Sequence, residues 1–161
     1  MALKIRDLSS KKPVPFDCVE VVNGLLRHVP PEHLVGLGEI ALVDVLSKEA
    51  REGIRGAYLA ATREGAARIE ISVPGIYARA PRFLFRSCFL RYLYLADVLY
   101  HEIGHHYVKR LRHGIDRKRG EVEAERYKKA MLRKAFPVWR RVLAPIGPLV
   151  RWLLRRAEGA R

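Results

Sequence analysis

Residues 86–112 read RSCFLRYLYLADVLYHEIGHHYVKRLR. The run contains no Pro and a single Gly, Gly104. With Phe89, Leu90, Leu93, Leu95 and Val98 leading into its second half, it reads as one long, largely buried helix. Gly114 stands where a C-terminal cap would. Inside the helix, His101-Glu102-Ile103-Gly104-His105 forms an H-E-x-x-H sequence. One turn separates His101 from His105, so both imidazoles leave the same face. That spacing lets two nitrogens share one Zn²⁺ in a tetrahedral shell. Glu102 lies about 100° round the helix. There it is poorly placed to join the same shell and well placed to act as general base towards a water at the metal. Two histidines and a Glu buried mid-helix would be costly without partners. Gly104 costs about 1 kcal/mol against Ala in a helix interior, which points to close backbone packing beside the site.

A third protein ligand is needed, and its position separates classes of site. The metzincin extension would place Gly at 108 and His at 111, where Val108 and Leu111 stand. His113 abuts the helix-ending Gly114 and points from a helix end. The remaining donors are Glu121, Glu123 and Glu125 on a following helix, expected from Glu121 to about Phe136 and stopped by Pro137. Ala124, Tyr127, Ala130, Met131 and Ala135 define its apolar face. By that phase Glu123 points inward, with Glu125 next, and Glu121 and Glu125 fall towards solvent.

Upstream, Phe16–Val29 has helical spacing and ends at Pro30-Pro31. Leu37–Val45 and Ile54–Thr62 read as strands, joined by a short helical turn over 47–53. Arg63-Glu64-Gly65 is a tight turn, and Ala67–Val73 alternates cleanly as a third strand and candidate sheet edge. Residues 1–15 read as an extended lead-in. The expected fold class is α+β: an N-terminal helix, a small three-stranded, mostly antiparallel sheet, the long motif helix, a following helix with a Glu ligand, and a basic helical tail. One domain over residues 1–136, with a basic amphipathic tail over 137–161 packed on it, suits a chain of 161 residues.

The chain carries a formal charge of +14. Residues 1–108 contribute +2 and residues 109–161 contribute +12, so the basicity is regional. Nucleic acid and an anionic membrane surface are the partner classes this tail suggests, against a simply solvated face. No helix-turn-helix, zinc-finger or RNA-binding signature is visible. No apolar run approaches the roughly 20 residues of a membrane span, and no secretory signal opens the sequence. Two cysteines, Cys18 and Cys88, make no disulfide framework. A cytoplasmic location is expected. One Asn, no Gln and 30% charged residues suggest a thermophilic source.

The site resembles the gluzincin group of zinc metallopeptidases, in which the two histidines of H-E-x-x-H act with a downstream Glu. Within that group, His101-Glu102-Ile103-Gly104-His105 followed by Glu123-Ala124-Glu125-Arg126-Tyr127 is similar to the ImmA/IrrE family. The pattern there is H-E-I/L-G-H, then E-A-N-x-F-A on the next helix. The resemblance covers about residues 16–136, and the two short motifs carry it. It implies a minimal zincin-like fold, Zn²⁺ held by His101, His105 and Glu123, and Glu102 as catalytic base. It also implies a protein or peptide substrate, often a repressor, paired as an added strand on the sheet edge. The chain departs from the pattern at Glu125, where Asn is usual, at Lys128, where a small residue is usual, and in its short interhelical loop. An oxyanion donor is sought among Tyr77, Tyr100, His106 and Tyr107. The rival reading is a basic nucleic-acid- or partner-binding protein with a structural or inactive zinc site.

Overall fold

The computed structural model describes residues 3–10, 14, 16–47, 54–63, 65–77, 87–112 and 114–137. The turn expected over 47–53, His113 and the basic tail from 138 onward lie outside these residues, apart from Ser47.

Asp17 starts the first helix, α1 (Cys18–Leu26). Its carboxylate accepts from the backbone N–H groups of Val19 at 2.8 Å and Glu20 at 3.2 Å, the usual N-cap arrangement. Val21, Val22 and Leu25 recur at helical spacing and are buried. The strands are β1 (Lys4–Asp7), β2 (Leu37–Val43), β3 (Gly56–Leu59) and β4 (Ala67–Ser72), in the spatial order β1-β2-β4-β3. β2 runs parallel to both β1 and β4, and β3 is antiparallel to β4.

The register puts Ile40 opposite Ile69 and Leu42 opposite Ile71. All four are fully buried and form one apolar face with the core of α1 and of the long helix α3 (Cys88–Leu111). The intervening residues point the other way, because strand side chains alternate. There Glu39 meets Arg6 at 3.1 Å and Arg68 at 3.4 Å. Buried Glu70 is satisfied by Arg68 at 3.1 Å and by the backbone N–H of Ser47 at 2.7 Å.

Two expectations about the sheet need correction. Among the described residues it has four strands and is mixed, not three mostly antiparallel strands. β1 was hidden because three of its four residues are exposed, leaving Ile5 alone as an inward signal. Its parallel pairing with β2, on the far side of α1, is a long-range event that local alternation does not report. Second, β4 is an interior strand, and the sheet edge beside α3 is β3.

A short helix, α2 (Val73–Tyr77), follows β4 directly. α3 is tied to α1 by the Tyr100 hydroxyl, which donates to Leu25 O at 3.0 Å. Gly114 adopts φ 80°, the left-handed conformation expected just past a helix end. The next helix, α4 (Arg117–Ala135), starts four residues earlier than periodicity suggested. Asp116 caps it, accepting from Lys118 N–H at 2.8 Å. The basic first turn, Arg117-Lys118-Arg119, had masked that start as a loop. No helix among the described residues is long and apolar enough to cross a membrane.

Candidate metal centre

The site is built where α3 and α4 cross. A Cβ added at Gly104 would lie 2.9 Å from both the Cα and the carbonyl oxygen of Ala124, and 3.2 Å from Tyr127 Cβ. Only a glycine lets the two backbones approach this closely, as Gly104 had suggested. Ala124 is fully buried, so the crossing fixes which face of α4 looks at α3.

That face carries Glu121. The Nε2 atoms of His101 and His105 are 3.2 Å apart. Each lies 3.4 Å from the same oxygen, Oε2 of Glu121. Donor atoms on a tetrahedral shell of ~2.0–2.1 Å radius are spaced about 3.3–3.4 Å apart. The three atoms therefore match one face of such a shell, and their N, N, O chemistry suits a borderline divalent ion. Among the described residues, His101, His105 and Glu121 are the His/Cys/Asp/Glu group whose donor atoms converge in this way.

Glu123, the sequence-expected ligand, is not brought to this centre. Its carboxylate accepts from Arg126 at 2.9 Å. It lines a basic groove of about 440 Å³ with Arg112, Lys118, Arg119 and Val122. The reason is helical phase. Ala130, counted as part of the apolar face, is exposed, whereas Gly120, Ala124 and Met131 are buried and Lys128 is half-buried. Dropping Ala130 rotates the inward face towards Glu121 and away from Glu123 by a few tens of degrees, at about 100° per residue. The missed signal was the Gly104–Ala124 pair of small residues, which sets the crossing and puts the residue three before Ala124 over the histidines.

Glu102 lies on the sheet side of α3 and is buried. Burial pushes its carboxyl up to about 7. A hydrogen bond from the Tyr58 backbone acts in the opposite direction, and the charge of Glu121 adds to the rise. The carboxylate fits against β3 because residue 56 has no side chain. A Cβ there would sit 2.6 Å from Val98 Cγ1, 2.9 Å from Glu102 Cγ and 3.0 Å from Glu102 Oε1. His105 is held below the ordinary imidazole range by burial, against the opposing charge of Glu121. Burial favours its neutral form, the form that ligates a metal.

These groups open onto a cleft of about 910 Å³ lined by His101, Glu102, His105 and Glu121, by Gly56 and Tyr58 of β3, and by Lys109 and Arg117. The expected oxyanion donors are engaged elsewhere. Tyr100 bonds Leu25 O, Tyr77 bonds Arg91 O, His106 bonds Val35 O at 3.1 Å, and the Tyr107 ring packs at a 44° tilt against His33. Tyr58, which the sequence reading passed over, lies in the cleft with the Lys109 ammonium 5.2 Å from its ring centre.

Comparison with protein-family models, curated proteins and solved structures gave no match. A functional reading of the chain therefore starts from this geometry and from the H-E-x-x-H motif.

Proposed function

We propose that the protein is a zinc-dependent peptidase of gluzincin type, in which His101, His105 and Glu121 hold the metal and Glu102 is the general base. The observation that carries this reading is the convergence of three donor atoms at 3.2–3.4 Å beside a buried carboxylate, on the wall of an open cleft. Bound there, zinc would supply Lewis acidity, polarising a peptide carbonyl and making water a stronger acid. Everything else falls to the chain's own groups.

Glu102 suits proton transfer near neutral pH, because a general base works best with a pKa close to the operating pH. It would take a proton from water at its carboxylate and return it to the leaving amine. Gly56 keeps Glu102 aimed, since any side chain at 56 would collide with it. β3 borders the cleft and, among the described residues, pairs only with β4. An extended peptide laid along β3 would add as a further strand and cross the mouth of the site.

The experiment is direct. Purified protein should bind about one zinc per chain. Glu102→Gln should retain that zinc and lose cleavage of an unfolded protein substrate such as casein. A folded wild-type protein that takes up no zinc would overturn the reading.

A further inference from the structure

The cleft does not end at the metal centre. One turn past His105 it shares Tyr58, Lys109 and Ile115 with a second hollow of about 550 Å³. Val35, Ala60, Ala61, Ala67 and Ile115 give that hollow an apolar wall, and Lys109, Arg110 and Arg112 also line it. Arg112 in turn lines the groove of about 440 Å³ together with Lys118, Arg119 and Arg126. The three spaces adjoin through shared residues. Together they form one track that leads from the histidines, past the connection between α3 and α4, to the outer flank of α4.

The track is strongly basic. Residues 109–119 hold Lys109, Arg110, Arg112, Arg117, Lys118 and Arg119 against a single acidic residue, Asp116. Asp116 is committed to the cap of α4, accepting from Lys118 N–H at 2.8 Å and Arg119 N–H at 3.4 Å. Lys109 and Arg110 have a local reason to be there, because cations suit the C-terminal end of a helix. Arg117, Lys118 and Arg119 do not. They stand in the first turn of α4, where the helix dipole disfavours cations, and that turn contains no acidic residue. All three are exposed, as is Arg112. Among the described residues none of these four is in ion-pair contact with a carboxylate, whereas Arg126 already pairs with Glu123. Four unpaired cations side by side, three of them at a helix end that opposes them, suit an anionic ligand. Two observations favour an acidic peptide over a nucleic acid. The track begins at a cleft whose strand edge fits an extended polypeptide, and the hollow in its middle has an apolar wall that suits a hydrophobic side chain and not a phosphodiester.

We propose that this track selects substrates carrying an acidic segment beside an apolar residue: the apolar side chain enters the hollow, and the acidic segment lies against Arg112, Arg117, Lys118 and Arg119. The inference rests on the peptidase reading above, and its test separates the two. Fluorescence anisotropy is measured on the full-chain Glu102→Gln protein with zinc present, so that no peptide is consumed. One labelled peptide carries Leu followed by a run of Glu; a second has Ser in place of every Glu. The Glu peptide should bind about tenfold more tightly, since exposed ion pairs are each worth a factor of about 1.5–5 and several form together. The preference should fade between about 0.1 and 1 M salt, as the Debye length shrinks from about 10 Å to about 3 Å. Arg112→Glu with Lys118→Glu should abolish it. Arg133→Glu with Lys134→Glu makes the same change in net charge at the far end of α4 and should leave it in place. Arg112→Gln with Lys118→Gln removes charge without reversing it and should weaken the preference, which decides the matter if the reversal disturbs folding. Equal binding of the two peptides would overturn the inference, as would an equal loss in the Arg133/Lys134 variant. A thymidylate oligonucleotide that binds more tightly than the Glu peptide would overturn it in favour of a nucleic-acid surface. Zinc uptake and casein cleavage by wild type test the peptidase reading separately. Their failure with the acidic preference intact would remove the peptidase and leave an acidic-peptide site, whereas cleavage without the preference would remove the track alone.

Discussion

Glu121 and Glu123 sit two residues apart on the same helix and have the same side chain, yet the fold treats them oppositely. Glu121 reaches over α3 to within 3.4 Å of both motif histidines, although its side chain is 51% exposed. Glu123 is more buried, at 32%, but it turns to the other flank and pairs with Arg126. Burial is therefore a poor guide to which carboxylate reaches the histidines. What decides is the helix crossing, and that is fixed by Gly104 against Ala124. The catalytic site proposed above would need an open position for water and substrate, which a half-exposed donor at the cleft rim permits.

The contrast can be broken most directly at the two carboxylates. Glu121→Ala should lower zinc affinity by more than the roughly 10–100-fold expected for an outer partner, whereas Glu123→Ala should leave it near wild type. Chelator titration of both variants checks this, and the reverse ranking would return Glu123 to the site. The same pair can be read through stability. Excess chelator should lower the melting temperature of wild type, because a ligand that binds only the folded state stabilises it by mass action. It should leave Glu121→Ala unmoved.

The crossing itself is the next target. Gly104→Ala gains about 1 kcal/mol of helix propensity. It also drives a methyl into the Ala124 backbone at 2.9 Å, and overpacking costs about 1–3 kcal/mol or more. A net loss of stability is expected, seen as a lower denaturation midpoint, together with weaker zinc binding as Glu121 moves off. A more stable variant with intact zinc affinity would show that the crossing does not set the site.

A smaller effect is expected at the start of α4. Asp116→Ala removes the cap and should cost about 1 kcal/mol. Its fraying falls on the first turn, nearer Glu121 than Glu123, so zinc affinity should drop modestly. The smallest effect is at Arg126→Ala, which breaks only the Glu123 pair. Exposed i,i+3 pairs are worth about 0.5 kcal/mol or less, and neither melting nor zinc binding should change measurably.

Much of this was legible in the residues, and the exceptions share a cause. The long helix, the helical spacing in α1 and the alternation of Ala67–Ser72 are local, and the structure has an element at each. The pairing of His101 with His105 follows from one helical turn and needs no partner element. β1 was missed because an edge strand with one inward residue leaves almost no pattern. Strand order and direction were missed because they depend on crossovers spanning tens of residues. Glu121 was missed because helical phase was taken from residue type, and the exposed Ala130 weighed the same as the buried Ala124.

The sequence by itself determined the α+β class, the helix that presents His101 and His105 on one face, and Glu102 displaced from them. All are properties of 3.6-residue and two-residue periodicity within single segments. Only the tertiary structure decided which carboxylate joins the histidines and which strand edge borders the cleft. Those depend on how two elements meet. At 100° per residue, a rotation of α4 by a few tens of degrees exchanges one glutamate for another.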